Sequence, residues 1–401
     1  MGSMISLSVG SIDIDWGKNE FFENHAHLFQ PGDESENDYH YVKEDGSPIV
    51  KVQQCLKRPL RRVVPRLELL GYTLPSCAAK LTAWLGDEDE TRPASMTAFR
   101  HALTTFQWRE CGEYVDFEEA FRAAYAAAPD SNVPPPDQDS QFVAWERPID
   151  PYLVLRVLGD MPEYVDLPVC WNFADVLEGE YVDSETFEAS PPGERWMIVT
   201  EGTSDTFVLQ RSLQLTHPDI SDFFDFIDMS AGNPFPGVGN VVTFCRGLSR
   251  IRYDGRMLVV LDNDTAGRSA LAEIKALKMP TSFVATCLPD LPELQQIQTL
   301  GPTGMNIEDI NGRASAIECF LDFKGVDSEP AVRWTSYMPK QASYQGELVS
   351  KDAYVADFKA RFGKDQMYDK SKLTLLWQHL IRHVTAYNAP LERCSATIGA
   401  T

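Results

Sequence analysis

Residues 196–210 read WMIVTEGTSDTFVLQ. The run Trp196-Met197-Ile198-Val199 has the composition of a buried strand and leads straight into Thr200-Glu201-Gly202. Residues 204–215 then read as a helix. A carboxylate at such a junction is costly to bury alone. Its meaning depends on what neighbouring strands carry at the same level. Working outward, the pattern recurs. DFFDFIDM (222–229) precedes a glycine-rich turn and a helix near 239–251. MLVVLD (257–262) precedes a helix over 265–277, and SFVATCL (282–288) comes next. Continuous apolar strands alternating with helices predict an α/β architecture, a parallel sheet covered on both faces.

In such a sheet, ligands bind outside the carboxyl ends of the strands. Three ends carry acids here: Glu201, Asp228, and Asp262 with Asp264 in LDNDTAG. Four carboxylates are thus expected at one rim. Carboxylates within about 4–6 Å of each other repel, and one takes up a proton unless a cation sits between them. Oxygen-only ligands favour Mg²⁺, with Mn²⁺ as a substitute, and leave room for water and substrate phosphate. Gly202 and Gly267 are expected to let the backbone turn tightly beside the acids. Such a cation activates water and steadies an in-line phosphoryl displacement. Taken singly, acids at strand ends are often helix N-caps, a role equally open to Asp205 and Asp264.

The pattern E-G-x-x-D after an apolar strand, with L-D-N-D-x-A-G about sixty residues later, resembles the Toprim domain over residues 194–325. That domain is shared by topoisomerases, bacterial primases, OLD-family nucleases and small RNA-maturation nucleases. The resemblance implies a Rossmann-like parallel sheet with flanking helices. It implies Glu201 as general acid/base or metal ligand, and Asp262 and Asp264 as catalytic Mg²⁺ ligands. Asp228 in FIDMSAGNPFPGVGNV resembles the metal-binding acid before the glycine-rich turn of OLD-type members, although PFPGVGN replaces their paired glycines. Glu308 in NIEDIN is implied as a further metal ligand. Glu318 in AIECFLDF is either another such acid or a solvent-facing helix residue.

Residues 4–130 resemble the domain that precedes HEPN or Toprim modules in prokaryotic defence proteins. The whole chain is therefore similar to HEPN/Toprim-associated proteins, and the resemblance implies action against phage or other foreign elements. A HEPN ribonuclease carries R-x4–6-H. Arg211 and His217 fit that count, but they fall on the helix after the first parallel strand and run into Pro218, so the match reads as chance.

The N-terminal part reads as α+β. Residues 4–48 alternate in short pieces, as strands and hairpins do, and helices are expected over 49–70, 74–86, 94–107 and 116–128. A proline-rich linker, PDSNVPPPDQDS, opens a mixed, acidic segment over 131–193 whose elements stay unassigned. Residues 326–401 read as a helical extension. Its amphipathic helix KLTLLWQHLIRHV either packs on the sheet or serves a homo-oligomer.

Net charge is 36 − 59 = −23, which opposes non-specific nucleic-acid binding. A nucleic-acid substrate, RNA or DNA, has to meet a bound cation or a local basic patch. Lys51–Arg66 carries six positive charges and no negative one, with Arg61 and Arg62 at its centre. Arg246, Arg250, Arg252 and Arg256 form a second patch with only Asp254 among them. Both patches are candidate substrate guides or plain solvated faces.

Eight scattered cysteines without a CxxC pair predict buried thiols in a reducing cytoplasm. His25 with His27, and His379 with His383, lack a third ligand at a recognised metal spacing. No apolar run is long enough for a membrane helix, and the first residues lack the order of a signal peptide. The phosphate-binding G-x-x-x-x-G-K-[ST] is absent, so any nucleotide hydrolysis falls to a partner.

These observations define two expectations. One is a Mg²⁺-dependent nuclease, with structured RNA such as tRNA slightly favoured because a compact chain without an ATPase resembles the RNA-cutting members. The other is a non-catalytic binding or sensor module, served by a partner or a phage trigger.

Overall fold

Alternation at the start of the chain produces strands, as a period of two requires. β1 (Met4–Val9) and β2 (Ile12–Lys18) form a hairpin in which Ile12 and Ile14 are buried. Gly10 closes it at φ +60, and a Cβ there would lie 1.8 Å from the Trp108 carbonyl oxygen. Only glycine meets both demands. The computed structural model describes residues 2–42, 48–85, 95–109, 115–131, 148–188, 195–227, 237–280, 282–302, 304–327 and 329–387. They fall into two compact units, one over Met1–Gly193 and one over Glu194–Tyr387.

The first unit adds β3 (Glu34–Val42), β4 (Pro48–Pro59) and β5 (Pro168–Asn172) in the antiparallel order β2-β1-β5-β4-β3. Its helices are α1 (Leu60–Leu69), α2 (Leu74–Leu85), α3 (Met96–Thr104), α4 (Phe117–Ala127), α5 (Pro151–Leu158) and α6 (Ala174–Glu178). Leu7, Val9, Leu56, Val169 and Trp171 share one core cluster with residues of α1 to α5.

The helix expected over 49–70 is half wrong. Residues 48–59 are strand, and only 60–69 are helical. β-branched Val50 and Val52 favour the extended backbone, and Pro59, with no N–H and φ −66, sits at the switch as the α1 N-cap.

The unassigned acidic segment proves central. All eight residues of α5 are buried, started by an Asp150 side chain that accepts from the Tyr152 N–H. β5 is the middle strand of the sheet.

The basic run Lys51–Arg66 does not form one solvated face. Arg58 and Arg66 are fully buried. Arg58 bonds Asp33 at 2.6 Å and Gln30 at 2.7 Å, and Arg66 Nε donates to the His27 carbonyl at 2.8 Å. Lys51 pairs with Glu178, and exposed Arg61 pairs with Asp166. Arg62 is half-buried on α1. A guanidinium enters a core only with compensating partners, which Asp33 and Gln30 give Arg58 and the His27 carbonyl gives Arg66, so both act within the fold.

The second unit is built on a parallel sheet of β6 (Trp196–Val199), β7 (Phe224–Phe226), β8 (Met257–Leu261) and β10 (Phe283–Cys287), ordered β10-β8-β6-β7. Between them run α7 (Thr203–Thr216), α8 (Val238–Ile251), a two-residue strand β9 (Asn263–Asp264) and α9 (Thr265–Lys275). Every residue of β8 is buried, as a strand covered on both faces requires. Val241, Cys245, Val259, Leu261 and Ile274 form the core between helices and sheet.

A second sheet, β12-β11-β14-β15, follows, from β11 (Ile297–Gly301), β12 (Gly304–Glu308), β14 (Ala331–Met338) and β15 (Ser343–Leu348). The extension after 325 is thus not helical at first. It makes the β14–β15 hairpin before α10 (Lys351–Arg361) and α11 (Ser371–Tyr387). Leu373, Leu376, Trp377, Leu380 and Val384 of α11 are fully buried, and Trp377 Nε1 donates to Ser212 Oγ of α7 at 2.8 Å. The amphipathic helix therefore packs within its own unit.

Candidate active site

β6 and β8 are adjacent and parallel, so their carboxyl ends lie side by side. Past β6, the Thr200 hydroxyl bonds Thr206 Oγ1 at 2.7 Å and donates to the Gly202 carbonyl at 3.1 Å, which closes the turn into α7. Glu201 projects from this turn. Its Oε1 accepts the backbone N–H of Asp262 at 3.3 Å, which ties the two strand ends together. Past β8, β9 pairs with β13 (Ala314–Ser315), and Asp264 caps α9 by accepting the Gly267 N–H at 2.6 Å. A Cβ on Gly267 would lie 2.1 Å from the Asp262 carbonyl oxygen. That glycine is required for close approach of helix to strand, whereas Gly202 has ordinary extended backbone.

Glu201, Asp205, Asp262 and Asp264 are half-buried at this rim, and Glu318 is buried. Burial pushes Glu201 up to about 7, with the Asp264 charge adding to it against the Asp262 N–H bond. Burial, then the charges of Glu318 and Glu201, push Asp205 up to about 7 as well. Asp262 is raised well above the carboxylate range by burial and by Asp205, Glu201, Asp264 and Glu318 together. Asp264 and Glu318 are raised mainly by burial. Burial thus raises all five acids, and at Asp262 the charges of the other four add to it.

Two of the five differ from the sequence reading. Asp205 is not the N-cap of α7, which is Gly202; from the first helical turn its carboxyl accepts the Gly202 N–H and also feels the charges of the rim. Glu318 is not on a solvent-facing helix but in a buried 3₁₀ turn, Ile317–Phe320.

Glu308 is bonded to groups outside the five acids. It bonds Thr299 at 2.9 Å, Arg313 at 2.9 Å and Trp334 at 3.3 Å. Burial opposes, but these bonds win and hold its carboxyl below its usual value. Asp228, with the glycine-rich turn after it, lies outside the described residues.

The arginines of 246–256 do not line the acidic rim. α8 returns the chain to the start of β8, so Arg250 and Arg252 stand at the amino end of that strand and are exposed. Five residues of strand, about 16 Å, separate that end from Asp262. Arg246, farther back on α8, pairs with Glu273 at 3.2 Å.

A cation absent from the sequence expectation stands at the acidic end instead. Arg268 Nε donates to Asn263 Oδ1 at 2.8 Å, and its NH2 group donates to Asp290 at 3.0 Å. The signal was local, since Arg268 lies in the first turn of the helix that Asp264 caps.

Among the described residues, no three His, Cys, Asp or Glu side chains stand close enough to hold a metal ion between them. The donor set still suits Mg²⁺, which keeps several waters and needs only one or two carboxylates beside substrate oxygens. The histidine pairs are engaged elsewhere. Tyr152 Oη bonds both His25 and His27 at 2.8 Å, and His379 and His383 both reach Thr286 Oγ1. No helix of the described residues is long and apolar enough to cross a membrane.

No curated protein and no solved structure matches the chain. Residues 1–195 match one family model, HEPN/Toprim N-terminal domain 1, which takes in the β1–β5 sheet, its helices and the segment up to β6. Residues 1–195 accordingly belong to the HEPN/Toprim N-terminal domain family, and the parallel-sheet unit with its acidic rim follows that domain.

Proposed function

We propose that the unit Glu194–Tyr387 is a Toprim-type, Mg²⁺-dependent nuclease that hydrolyses phosphodiester bonds. The observation that carries this reading is the cluster Glu201, Asp205, Asp262, Asp264 and Glu318. Four acids whose charges bear on a buried fifth, Asp262, are an expensive arrangement whose natural relief is a cation. Asp262 and Asp264 are the residues that would hold it, with Glu201 or Asp205 beside them. Bound there, Mg²⁺ would supply Lewis acidity and lower the pKa of water.

The chain's own residues supply the rest. Glu201, joined to the Asp262 N–H at the strand end, is the carboxylate placed to take a proton there. It takes the proton of the attacking water as oxygen bonds to phosphorus. The bond to the leaving oxygen breaks, that oxygen regains a proton, and a phosphate monoester and a hydroxyl result. Arg268, held by Asn263 and Asp290, offers its other N–H donors to a phosphate oxygen.

The substrate class is nucleic acid. RNA is favoured over DNA because residues 1–401 carry no G-x-x-x-x-G-K-[ST] motif and in this resemble the RNA-cutting members. The family context supports a role in defence against phage. The test is incubation of the full chain with Mg²⁺ or Mn²⁺ on total tRNA and on supercoiled plasmid, beside Glu201→Gln. Cutting by wild type that the variant lacks establishes the nuclease, and cutting that persists in the variant removes Glu201 from the chemistry.

A second reading, a binding or sensor module without catalysis, draws on one observation. No three of the described acids converge at ligating distance. Calorimetry separates the two, because only the first requires saturable Mg²⁺ binding that Asp262→Asn abolishes.

A further inference from the structure

Asp264 is reached from a part of the chain that lies beyond the parallel sheet. Gln345, on β15, donates from Nε2 to Asp264 Oδ2 across 81 residues. The same amide accepts the Ala266 N–H on Oε1 at 3.0 Å. Meanwhile Asp264 Oδ1 accepts the Gly267 N–H at 2.6 Å. Both oxygens of one carboxylate are thus oriented, one by its own helix and one by a distant strand. The hairpin is fixed against α9 by other bonds. Thr265 Oγ1 donates to the Tyr344 carbonyl at 2.9 Å, and Gln341 Nε2 donates to Ser269 Oγ at 2.9 Å. The short β9–β13 ladder holds the backbone of Asp264 itself.

We infer that Gln345 is the positioning residue for Asp264, a neutral amide that fixes the rotamer and the free lone pairs of this carboxylate so that they face Asp262 and an incoming divalent cation. The inference rests on the nuclease reading of the rim. Three features carry it. A glutamine offers a donor and an acceptor on one planar group, and here the donor meets the carboxylate and the acceptor meets the helix that the carboxylate caps. A lysine or arginine at this place would neutralise Asp264 and compete with a cation; an amide orients without doing so. Partners of this kind behind a ligating group commonly set metal affinity by about 10–100-fold. A consequence is that the functional unit extends through the β14–β15 hairpin, past the 194–325 span expected from the sequence.

The test uses the full chain with Gln345→Met, which keeps length and apolar volume but removes both bonds. Gln341→Ala is the control, since it loosens the same hairpin without touching Asp264. Calorimetry with Mg²⁺ and no nucleic acid is the first readout, and amide exchange at Ala266 and Gly267 is the second. The expected result is Mg²⁺ affinity about 10-fold lower in Gln345→Met, cleavage recovered at high Mg²⁺, and faster exchange at Ala266. Gln341→Ala should match wild type in Mg²⁺ affinity. A folded Gln345→Met with wild-type Mg²⁺ affinity and unchanged exchange overturns the inference. If wild type itself binds no Mg²⁺ while exchange still responds to Gln345→Met, the nuclease reading falls and the clamp on Asp264 stands.

Discussion

The backbone N–H of Asp262 donates to Oε1 of Glu201 at 3.3 Å, joining the carboxyl ends of two neighbouring parallel strands that are 61 residues apart in the chain. This one bond fixes where the Glu201 carboxyl stands relative to an aspartate at the end of β8. It also sets up the repulsion on which the site depends. Glu201, Asp205, Asp264 and Glu318 all raise the proton affinity of Asp262. Such a cluster costs stability whenever its carboxylates are charged and uncompensated.

Glu201→Gln should therefore separate activity from stability. Loss of the proton acceptor is expected to cut hydrolysis by about 10²–10⁴-fold. The same change removes a half-buried charge, so the metal-free variant should be more stable than wild type at pH 8, by about 1–3 kcal/mol. Urea unfolding in chelator measures it. The sign follows from Glu201 being raised to about 7: above that pH wild type bears the charge, and at pH 5 it does not. Equal stabilities at pH 8 would mean that the rim is better solvated than its burial implies.

Asp205→Asn and Glu308→Gln make a contrasting pair. Asp205 shares the rim, so its loss should weaken Mg²⁺ binding and slow cleavage by about 10-fold or more. Glu308 is committed to Thr299, Arg313 and Trp334. Its change should leave cleavage intact while costing about 1–2 kcal/mol, the scale of a charge-assisted bond. Cleavage rates and thermal unfolding of both variants decide the matter, and the reverse ranking would restore Glu308 to the site.

How far this site was legible follows from where each partner comes from. Glu201, Asp262 and Asp264 directly follow apolar strands, and strand ends can be read locally. Asp205 carries only half of its role locally: an acid in the first helical turn reads as a cap, and it does bond the Gly202 N–H, but its place beside Glu201 and Glu318 is not announced. Its side chain lies four residues from Glu201, near one helical turn. Glu318 and Gln345 arrive through tertiary contacts that no local period announces. The same holds in the first unit, where Arg58 and Arg66 look like surface charge until Asp33 and the His27 carbonyl come into place. β5 was missed because Val169-Cys170-Trp171 is too short a run to show a period. The far position of Arg250 and Arg252, by contrast, could have been read. They precede β8, and residues that precede a parallel strand stand at its amino end.

Arg268→Ala should raise KM for a nucleic-acid substrate by about 10-fold, with a smaller change in kcat, since it removes a phosphate donor held beside Asp264. Arg250→Ala with Arg252→Ala should leave both constants within about two-fold, because those side chains stand some 16 Å away along β8. Steady-state kinetics on a short oligonucleotide compares them. A larger KM effect from the second pair would place the substrate across the sheet rather than at its acidic end.

Trp377 gives a purely structural test of the second unit. It is fully buried on α11, packs edge-on against Phe224 at 5.5 Å and donates to Ser212 Oγ. Trp377→Ala is expected to cost about 3–5 kcal/mol. Ser212→Ala leaves the indole N–H buried without its partner and should cost about 1–3 kcal/mol. Denaturant titration measures both, and a near-neutral Trp377→Ala would detach α11 from the core.

The first unit should respond to acid through His27. Burial, with the charges of His25 and Arg66, pushes this histidine down to about 4. It is therefore neutral in the folded protein at pH values where the unfolded chain binds a proton, below about 6.5. The unfolded state holds more protons between those two values, so stability rises with pH across the window and is lost as pH falls through it. Up to about 3 kcal/mol should disappear between pH 6.5 and 4 on account of this group. The raised carboxylates, Glu23 and the rim acids, act in the opposite sense. The informative quantity is thus the difference between wild type and His27→Asn. Urea unfolding at half-unit pH steps should give a wild-type curve that falls more steeply than the variant's below pH 6.5 and runs parallel to it above pH 7. Parallel curves throughout would mean that the bond from Tyr152 to His27 survives protonation, with the tyrosine hydroxyl turning to accept.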